Sequence, residues 1–543
     1  MASNSKKQSY LQGAAILALG TALVKIIGAL YKVPLMSILG TKGFGYFNIA
    51  YDIYSVLLTI STAGLPVAMS RMISEAQTLG NTDQIRRIYR ASLYVFLALG
   101  IIGCSIMLLF AHQLASWMNS PNSWFAIMCL APAILFVCII SSFRGFFQGQ
   151  SIMTPTAVSQ IMEALSKLII GLALAWLLGN IAANTLGEDS QPVYGAGGAI
   201  LGVTIGTVLS AVYLAVRHRT ASAQLPPSAA GTQAKPLGAT MKQLLSIAVP
   251  ITIGAAGLQI INVIDSKLVL GRLINAVGYT QEYADSLKGI YSGSQTLFNL
   301  PAAFVVPITA SVIPAITAQL TSKDKAAALK TEESAIRIMA LLALPCGIGL
   351  AVLSRPIQQL LYSSYTAEEL TVATPLLAIL GVAVIFNCIV LLTNAIMQAH
   401  GWVSVPVVTM LIGGVVKVIV NYILVGQASI NITGAPIGTL CCYITITILN
   451  LLAMRRLMGR RTPRLLPLMV KPLIATAAMA VAAFAGYDLL YALLGSNTLA
   501  CLGAIVLAVI VYAVFVMLLK IITLDDCMLL PKGEKIAKLL HIR

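Results

Sequence analysis

The chain has 543 residues, of which 58% are hydrophobic and only 10% charged, against about 25% charged in soluble domains. Its mean hydropathy of +0.89 excludes a soluble globular protein and places it among polytopic helical membrane proteins. The net charge of +17 would point to nucleic acid in a soluble chain; here its placement along the loops carries the meaning, and no nucleic-acid partner is expected.

The polar start, MASNSKKQSY, runs into a span too long for a signal h-region and without an A-x-A site, so no cleavable signal peptide is expected. That first span, 11–36, reads LQGAAILALGTALVKIIGALYKVPLM. Lys25 falls near its middle and Lys32 toward its far end. Their spacing is nearly two helical turns, which puts both amines on one face. A charge at mid-membrane costs at least about 2.5–3.5 kcal/mol, so this face is expected to look into protein or a water-filled cavity. Plainer readings stand beside that one: an interhelical ion pair for Lys25 and snorkelling for Lys32.

Apolar windows predict fourteen spans, near 11–36, 46–69, 91–113, 124–147, 154–179, 193–216, 243–271, 289–316, 334–354, 370–398, 402–425, 432–454, 468–492 and 498–522. Most Lys and Arg residues fall on alternate connections, while the opposite ones hold only Lys42, Arg272, Lys288 and Arg355. The bias predicts that both termini are cytoplasmic. The stretch QLPPSAAGTQAKPLG (224–238) is the one linker-like segment. The expected organisation is an N-lobe over 1–223 (spans 1–6), a cytoplasmic linker over 224–242 and a C-lobe over 243–458 (spans 7–12). Spans 13–14 and a cytoplasmic tail follow over 459–543. Pairs in register between the halves, Pro66 with Pro307, Ser70 with Ser311, Gln148 with Gln398 and Lys167 with Lys417, predict a parallel repeat of a six-helix unit. The fold class is thus an all-α polytopic membrane protein, two six-helix lobes plus a C-terminal helix pair.

Charges inside the spans are few, and among them Lys25, Lys32, Lys167, Lys267 and Lys417 stand against Asp52, Glu163 and Asp265. An interior that leans basic favours an anionic substrate. Glu163 and Lys167 are i,i+4 and are expected to pair on one helix face. Lys417 has Gly413 where the acid would be, lacks a helix-local partner, and is the better ligand candidate. Asp265 and Lys267 point to different faces, and Asp52 is expected to pair with Lys32 across the helix hairpin. Span 8 carries Pro301, Pro307 and Pro314 after the polar run SGSQT and Asn299, so an irregular helix with one polar side is expected there. The candidate substrate-binding residues of a central cavity are Lys25, Lys32, Asp52, Lys167, Lys267, Asn299 and Lys417. Glu163 and Asp265 are candidates for ion coupling or pairing. The nine cysteines show no metal spacing, the histidines are isolated, and neither a Walker A motif nor GxSxG occurs. Neither catalysis nor a metal site is expected, which leaves transport.

Three stretches carry a family resemblance: TALVKIIGALYKVPLMSILGTKGFGYFNIAYDIY, STAGLPVAMSRMISE and QTLFNLPAAFVVPITASVIPAI. They resemble SpoVB/YtgP-type polysaccharide-biosynthesis proteins of the MOP (multidrug/oligosaccharidyl-lipid/polysaccharide) exporter superfamily. These are similar in role to the MurJ lipid II flippases. Lys25 matches the first of two arginines in the opening helix of MurJ proteins, and Tyr31 stands at the second. In span 8, Thr296 and Asn299 precede Pro301 where MurJ proteins have an Arg and an acid. The resemblance implies alternating-access transport of an undecaprenyl-pyrophosphate-linked cell-wall precursor, foremost lipid II, to the outer leaflet of the bacterial plasma membrane. It implies a role in peptidoglycan synthesis and cell shape, a tail groove at spans 13–14, and membrane lipids and other cell-wall synthesis proteins as partners. It implies no cofactor beyond coupling to the membrane potential or a monovalent cation. A cation-coupled multidrug exporter is the second reading, disfavoured by the basic interior; a non-transporting assembly factor is the third.

Overall fold

The computed structural model describes residues 10–229, 233–459, 462–463 and 465–522. All regular structure among them is helical: α1 (Tyr10–Thr62), α2 (Leu65–Thr78), α3 (Thr82–Leu109), α4 (Ala111–Trp117), α5 (Trp124–Gly149), α6 (Thr154–Ser166), α7 (Leu172–Leu186) and α8 (Gln191–Ala223). There follow α9 (Leu237–Asn275), α10 (Gln281–Thr321), α11 (Lys325–Val352), α12 (Ser354–Leu361), α13 (Ala367–Ala399), α14 (Ser404–Val425), α15 (Gly434–Met458), α16 (Leu465–Leu494) and α17 (Asn497–Leu518). A π-helical turn, Lys167–Gly171, joins α6 to α7.

Twelve helices among the described residues are long and apolar enough to cross a membrane, against fourteen predicted spans. Predicted spans 11–36 and 46–69 fall in one apolar run, α1–α2, divided inside α1 at Gly40. Its φ of 65° and ψ of 179° suit a residue without Cβ. The second break, at 63–64, is set by Pro66 in the first turn of α2, so this proline opens a helix instead of bending one. Predicted span 289–316 lies within α10, where Ser292, Ser294, Gln295, Thr296 and Asn299 interrupt the apolar sequence. The irregularity expected there is not a break: α10 stays helical through Pro301, Pro307 and Pro314.

By packing, the chain forms two compact units, residues 1–274 with 279–289, and 275–278 with 290–543. Helix α10 begins in the first unit and continues in the second. Helix α9 belongs to the first unit by packing, whereas the repeat expected from sequence would group it with the second half. In the first unit, α8 packs along α5 and α7 on small residues. A Cβ on Gly202 would stand 2.2 Å from the Gly171 Cα, and one on Gly198 2.3 Å from the Leu174 carbonyl oxygen. Backbones therefore touch where the π turn meets α8, a contact that only glycine allows. Asn81 caps α3 by accepting from the Gln84 N–H at 2.9 Å. The α2–α3 turn also pins the linker: Asn81 donates to the Gln233 carbonyl at 3.0 Å, Gln84 accepts from the Lys235 N–H at 2.7 Å, and Ser228 donates to Asp83 at 2.9 Å.

In the second unit, α13 is the most buried helix and packs on α11 and α15. A buried polar network fixes that packing: Asn450 donates to Thr393 (2.9 Å) and Asn394 (2.8 Å) and accepts from Thr409 (2.7 Å). A fully satisfied network of this kind specifies one arrangement of α13, α14 and α15. The pair α16–α17 packs on the α11–α12 corner through Leu353, Met479, Ala483 and Ala508.

Candidate functional site

Within the first unit, the spans bring Lys32 of α1 and Lys167 of the π turn into one basic, aromatic-walled cluster. The Lys167 ammonium sits 5.1 Å from the Tyr31 ring centroid and 5.6 Å from that of Tyr51. Lys32 lies 6.0 Å from the Phe44 ring. Phe47 links these rings, at 6.0 Å from Tyr31 and 4.9 Å from Tyr51. Tyr31 is fully buried, and its hydroxyl donates to the Ala199 carbonyl at 3.4 Å. The two ammonium groups are close enough to repel one another, with Glu163 in electrostatic range of Lys167. The π turn is the local device that sets Lys167, since the extra residue turns its side chain out of the α-helical series.

Two expected pairings are corrected. Glu163 does not neutralise Lys167: it accepts from Arg144 of α5 at 2.6 Å, and the same guanidinium donates to Ser159 at 2.9 Å. A guanidinium fork is the better match for a carboxylate, which leaves Lys167 to the rings. Asp52 does not pair with Lys32: it accepts from Ser266 of α9 at 2.5 Å and faces the buried Lys288 ammonium at 3.6 Å. The cluster thus holds Lys32, Lys167 and Arg144 against Glu163, with Asp52 in electrostatic range of Lys32 but shared with Lys288, which leaves an excess of positive charge suited to a compact anion. Aromatic cation contacts soften lysine burial by about 0.5–2 kcal/mol each without removing the charge.

The remaining candidates are dispersed. Lys25 is exposed, and no described carboxylate forms an ion pair with it. Lys267 lies 4.2 Å from the Trp117 ring centroid, while Asp265 is buried, as two faces of α9 require. Asn299 and Lys417 belong to the second unit; Asn299 donates to its own helix at Gln295 (2.8 Å), and Lys417 lies in range of the Tyr443 hydroxyl. Arg144, Lys288 and Asp285 are interior groups that sequence reasoning missed. Lys288 falls one residue outside the predicted span 289–316, and Arg144 falls near the end of the predicted span 124–147.

The first turns of α10 dock onto α1. Thr41 and Ser286 hydroxyls are 2.7 Å apart, and Lys42 pairs with Glu282 at 2.6 Å. Gly289 permits the approach, since a Cβ there would collide with the Thr41 carbonyl. Asp285, outside the predicted span, is fully buried there, accepts from Gln281 at 3.2 Å and has Ser120 beside it. Burial pushes its carboxyl up to about 7; Ser120, Gln281 and Lys42 oppose the rise and Glu282 adds to it.

The model of the family described as "Polysaccharide biosynthesis protein" matches residues 10–320, more than half of the chain. The chain belongs to the polysaccharide biosynthesis protein family. A second model, MatE, matches residues 285–423. The lipid II flippase MurJ of Bacillus subtilis is 27% identical over 87% of this chain and 87% of its own length. Stage V sporulation protein B of the same organism is 24% identical over 82% of this chain and 83% of its own. Among solved structures, a lipid II flippase MurJ in an inward closed conformation matches with TM-score 0.68 at 14% identity, covering 93% of this chain and 98% of that one. An inward-facing multidrug resistance MATE family transporter matches with TM-score 0.64 at 15% identity, over 82% and 98%. This member of the polysaccharide biosynthesis protein family therefore has the MOP-superfamily transporter fold, as its sequence led one to expect.

Proposed function

We propose that the protein is an alternating-access flippase that carries a lipid-linked anionic glycan precursor, with lipid II the leading candidate, from the inner to the outer leaflet of the plasma membrane. The observation that carries the reading is the Lys32–Lys167 pair, held among Tyr31, Phe44 and Tyr51 with Glu163 already engaged by Arg144. A diphosphate is a compact dianion, and lysine ammonium groups bind it as point charges. The tyrosine and phenylalanine faces offer the flat apolar surface that a sugar ring can cover. The relatives named as lipid II flippases support the substrate class. An interior rich in lysine weighs against an organic cation as cargo.

The finer parts of the reading are also proposals. Fourteen crossings arise when α1 is divided at Gly40 and α10 is counted as a span, with both termini inside. Lys25, Lys267, Asn299 and Lys417 join Lys32, Lys167 and Asp52 along the substrate path; Glu163 and Asp265 are the acidic groups for coupling to a cation or the membrane potential. The α16–α17 pair is the candidate groove for the lipid tail. In vesicles with defined lipid-linked sugars, head-group accessibility reports transport directly. Lys32→Ala and Lys167→Ala are each expected to lower it at least about tenfold at equal folded protein, the loss of one charge-assisted contact. Arginine at either position should keep part of the activity. Alanine variants that transport normally would remove the anion site from this cluster.

A further inference from the structure

The first unit also contains an apolar cavity of about 230 Å3, bounded by α1, α3, α4 and α9. Ile53, Leu57, Met107, Leu114, Trp117 and Ile264 line it, and none of its lining groups is charged. It is open on one side, since Trp117 is 46% and Ile264 43% exposed. At that side stands the Lys267 ammonium, 4.2 Å from the Trp117 ring centroid and one turn beyond Ile264 on α9. The α4–α5 connection holds this part of α9: the Asn119 side-chain amide donates to the Lys267 backbone carbonyl at 3.4 Å. The indole face lowers the penalty of placing the ammonium in apolar surroundings, but leaves its full charge available to an anion.

An apolar hole with a lysine ammonium at its mouth matches an amphiphile of defined polarity. A soluble anion gains nothing from the hole, and an uncharged chain gains nothing from the lysine. We propose that this cavity seats the first isoprenoid units of a polyprenyl phosphate lipid, with the phosphate on Lys267. It is a tail site apart from the Lys32–Lys167 cluster and from the α16–α17 pair. The choice of an isoprenoid over an ordinary acyl lipid rests on the flippase reading; the cavity and its cation do not. The neighbouring Ser266 donates to Asp52, which faces Lys288, so the backbone that carries Lys267 is tied to the polar link joining α9, α1 and α10.

The test is photolabelling of the purified full chain in phosphatidylcholine vesicles by a diazirine-bearing polyprenyl phosphate, with labelled peptides mapped by mass spectrometry. Label is expected in residues 53–57, 107–117 and 260–264. Lys267→Gln should lower it about tenfold, as for one lost charge-assisted contact, and leave labelling by the unphosphorylated polyprenol unchanged. Ile264→Trp, at the exposed rim, should lower labelling by both probes without disturbing the core. Label spread evenly over the bilayer-facing helices, or indifferent to Ile264→Trp, overturns the site. Competition by phosphatidylglycerol equal to that by unlabelled polyprenyl phosphate overturns the isoprenoid assignment. Confined, Lys267-dependent label in a protein that fails to move lipid-linked sugars keeps this site and sinks only the flippase reading.

Discussion

At the scale of single residues, the partner of Glu163 separates what a sequence can and cannot say. Lys167 stood out because a charge in an apolar span is conspicuous, and its i,i+4 acid offered a pairing within one helix. The acid instead went to Arg144, fifteen residues before Ser159 and on another helix; no local spacing encodes that choice. The consequence differs from that of a Glu163–Lys167 pair. Glu163→Gln strands the Arg144 guanidinium, whose side chain is 15% exposed beside a partner 27% exposed. That partial exposure places the loss at about 2–3 kcal/mol, below the full penalty for a buried unpaired charge. Restoring neutrality with Arg144→Gln in the same chain should recover the folded fraction, while adding Lys167→Gln instead should not. Thermal unfolding in detergent separates the two double variants, and recovery by the lysine change would return Glu163 to Lys167.

At the scale of elements, composition and periodicity located nearly every helix, because apolar length is what a bilayer demands. They placed a break between spans 11–36 and 46–69, where Gly40 divides α1, but did not show the π turn at Lys167, which is set by backbone packing against α8. The docking of α10 on α1 was equally hidden: Gly289, Thr41 and Ser286 become informative only once adjacent. This docking carries a pH dependence of definite sign. Asp285 faces Lys42 and Tyr46 of α1, Ser120 of the α4–α5 connection, and Gln281 and Glu282 of its own helix. Its carboxyl rises from 3.8 to about 7 in the folded protein. Between those values the folded state holds a proton that the unfolded chain has released. Stability from this residue is therefore fully present below pH 3.8 and is lost as pH rises through about 7. The slope is at most about 1.4 kcal/mol per pH unit. Unfolding midpoints of the natural chain and of Asp285→Asn, followed over that interval, should differ by this slope. Parallel curves would show that the carboxyl is not buried against α1.

For the whole molecule, the strongest inference from sequence is the alternation of basic connections, and packing alone cannot test it. Three label sites do so. A cysteine at Ala229, exposed on the linker strapped to the α2–α3 turn, is expected on the cytoplasmic side. The opposite side is best probed at Glu188, because Gly187 has a φ of +100° that a cysteine would strain. Helix α8 lies between these two sites, so they must report opposite faces if it crosses once. The third label, at the 45% exposed Leu457 near the end of α15, tests α10. From Ala229 to Leu457 the chain passes through α9, α10, α11, α13, α14 and α15. With α10 as a full crossing the number of passages is even, and Leu457 reports the same side as Ala229. If the polar, proline-bearing α10 does not cross, the number is odd, Leu457 reports the external face, and the basic run that follows it lies outside. The fourteen-span reading requires Ala229 and Leu457 to be protected together from an impermeant maleimide added outside, and Glu188 to react. Reaction at Leu457 with protection at Ala229 would remove α10 from the membrane and with it the parallel repeat, because the second half of the chain would then begin and end on different sides.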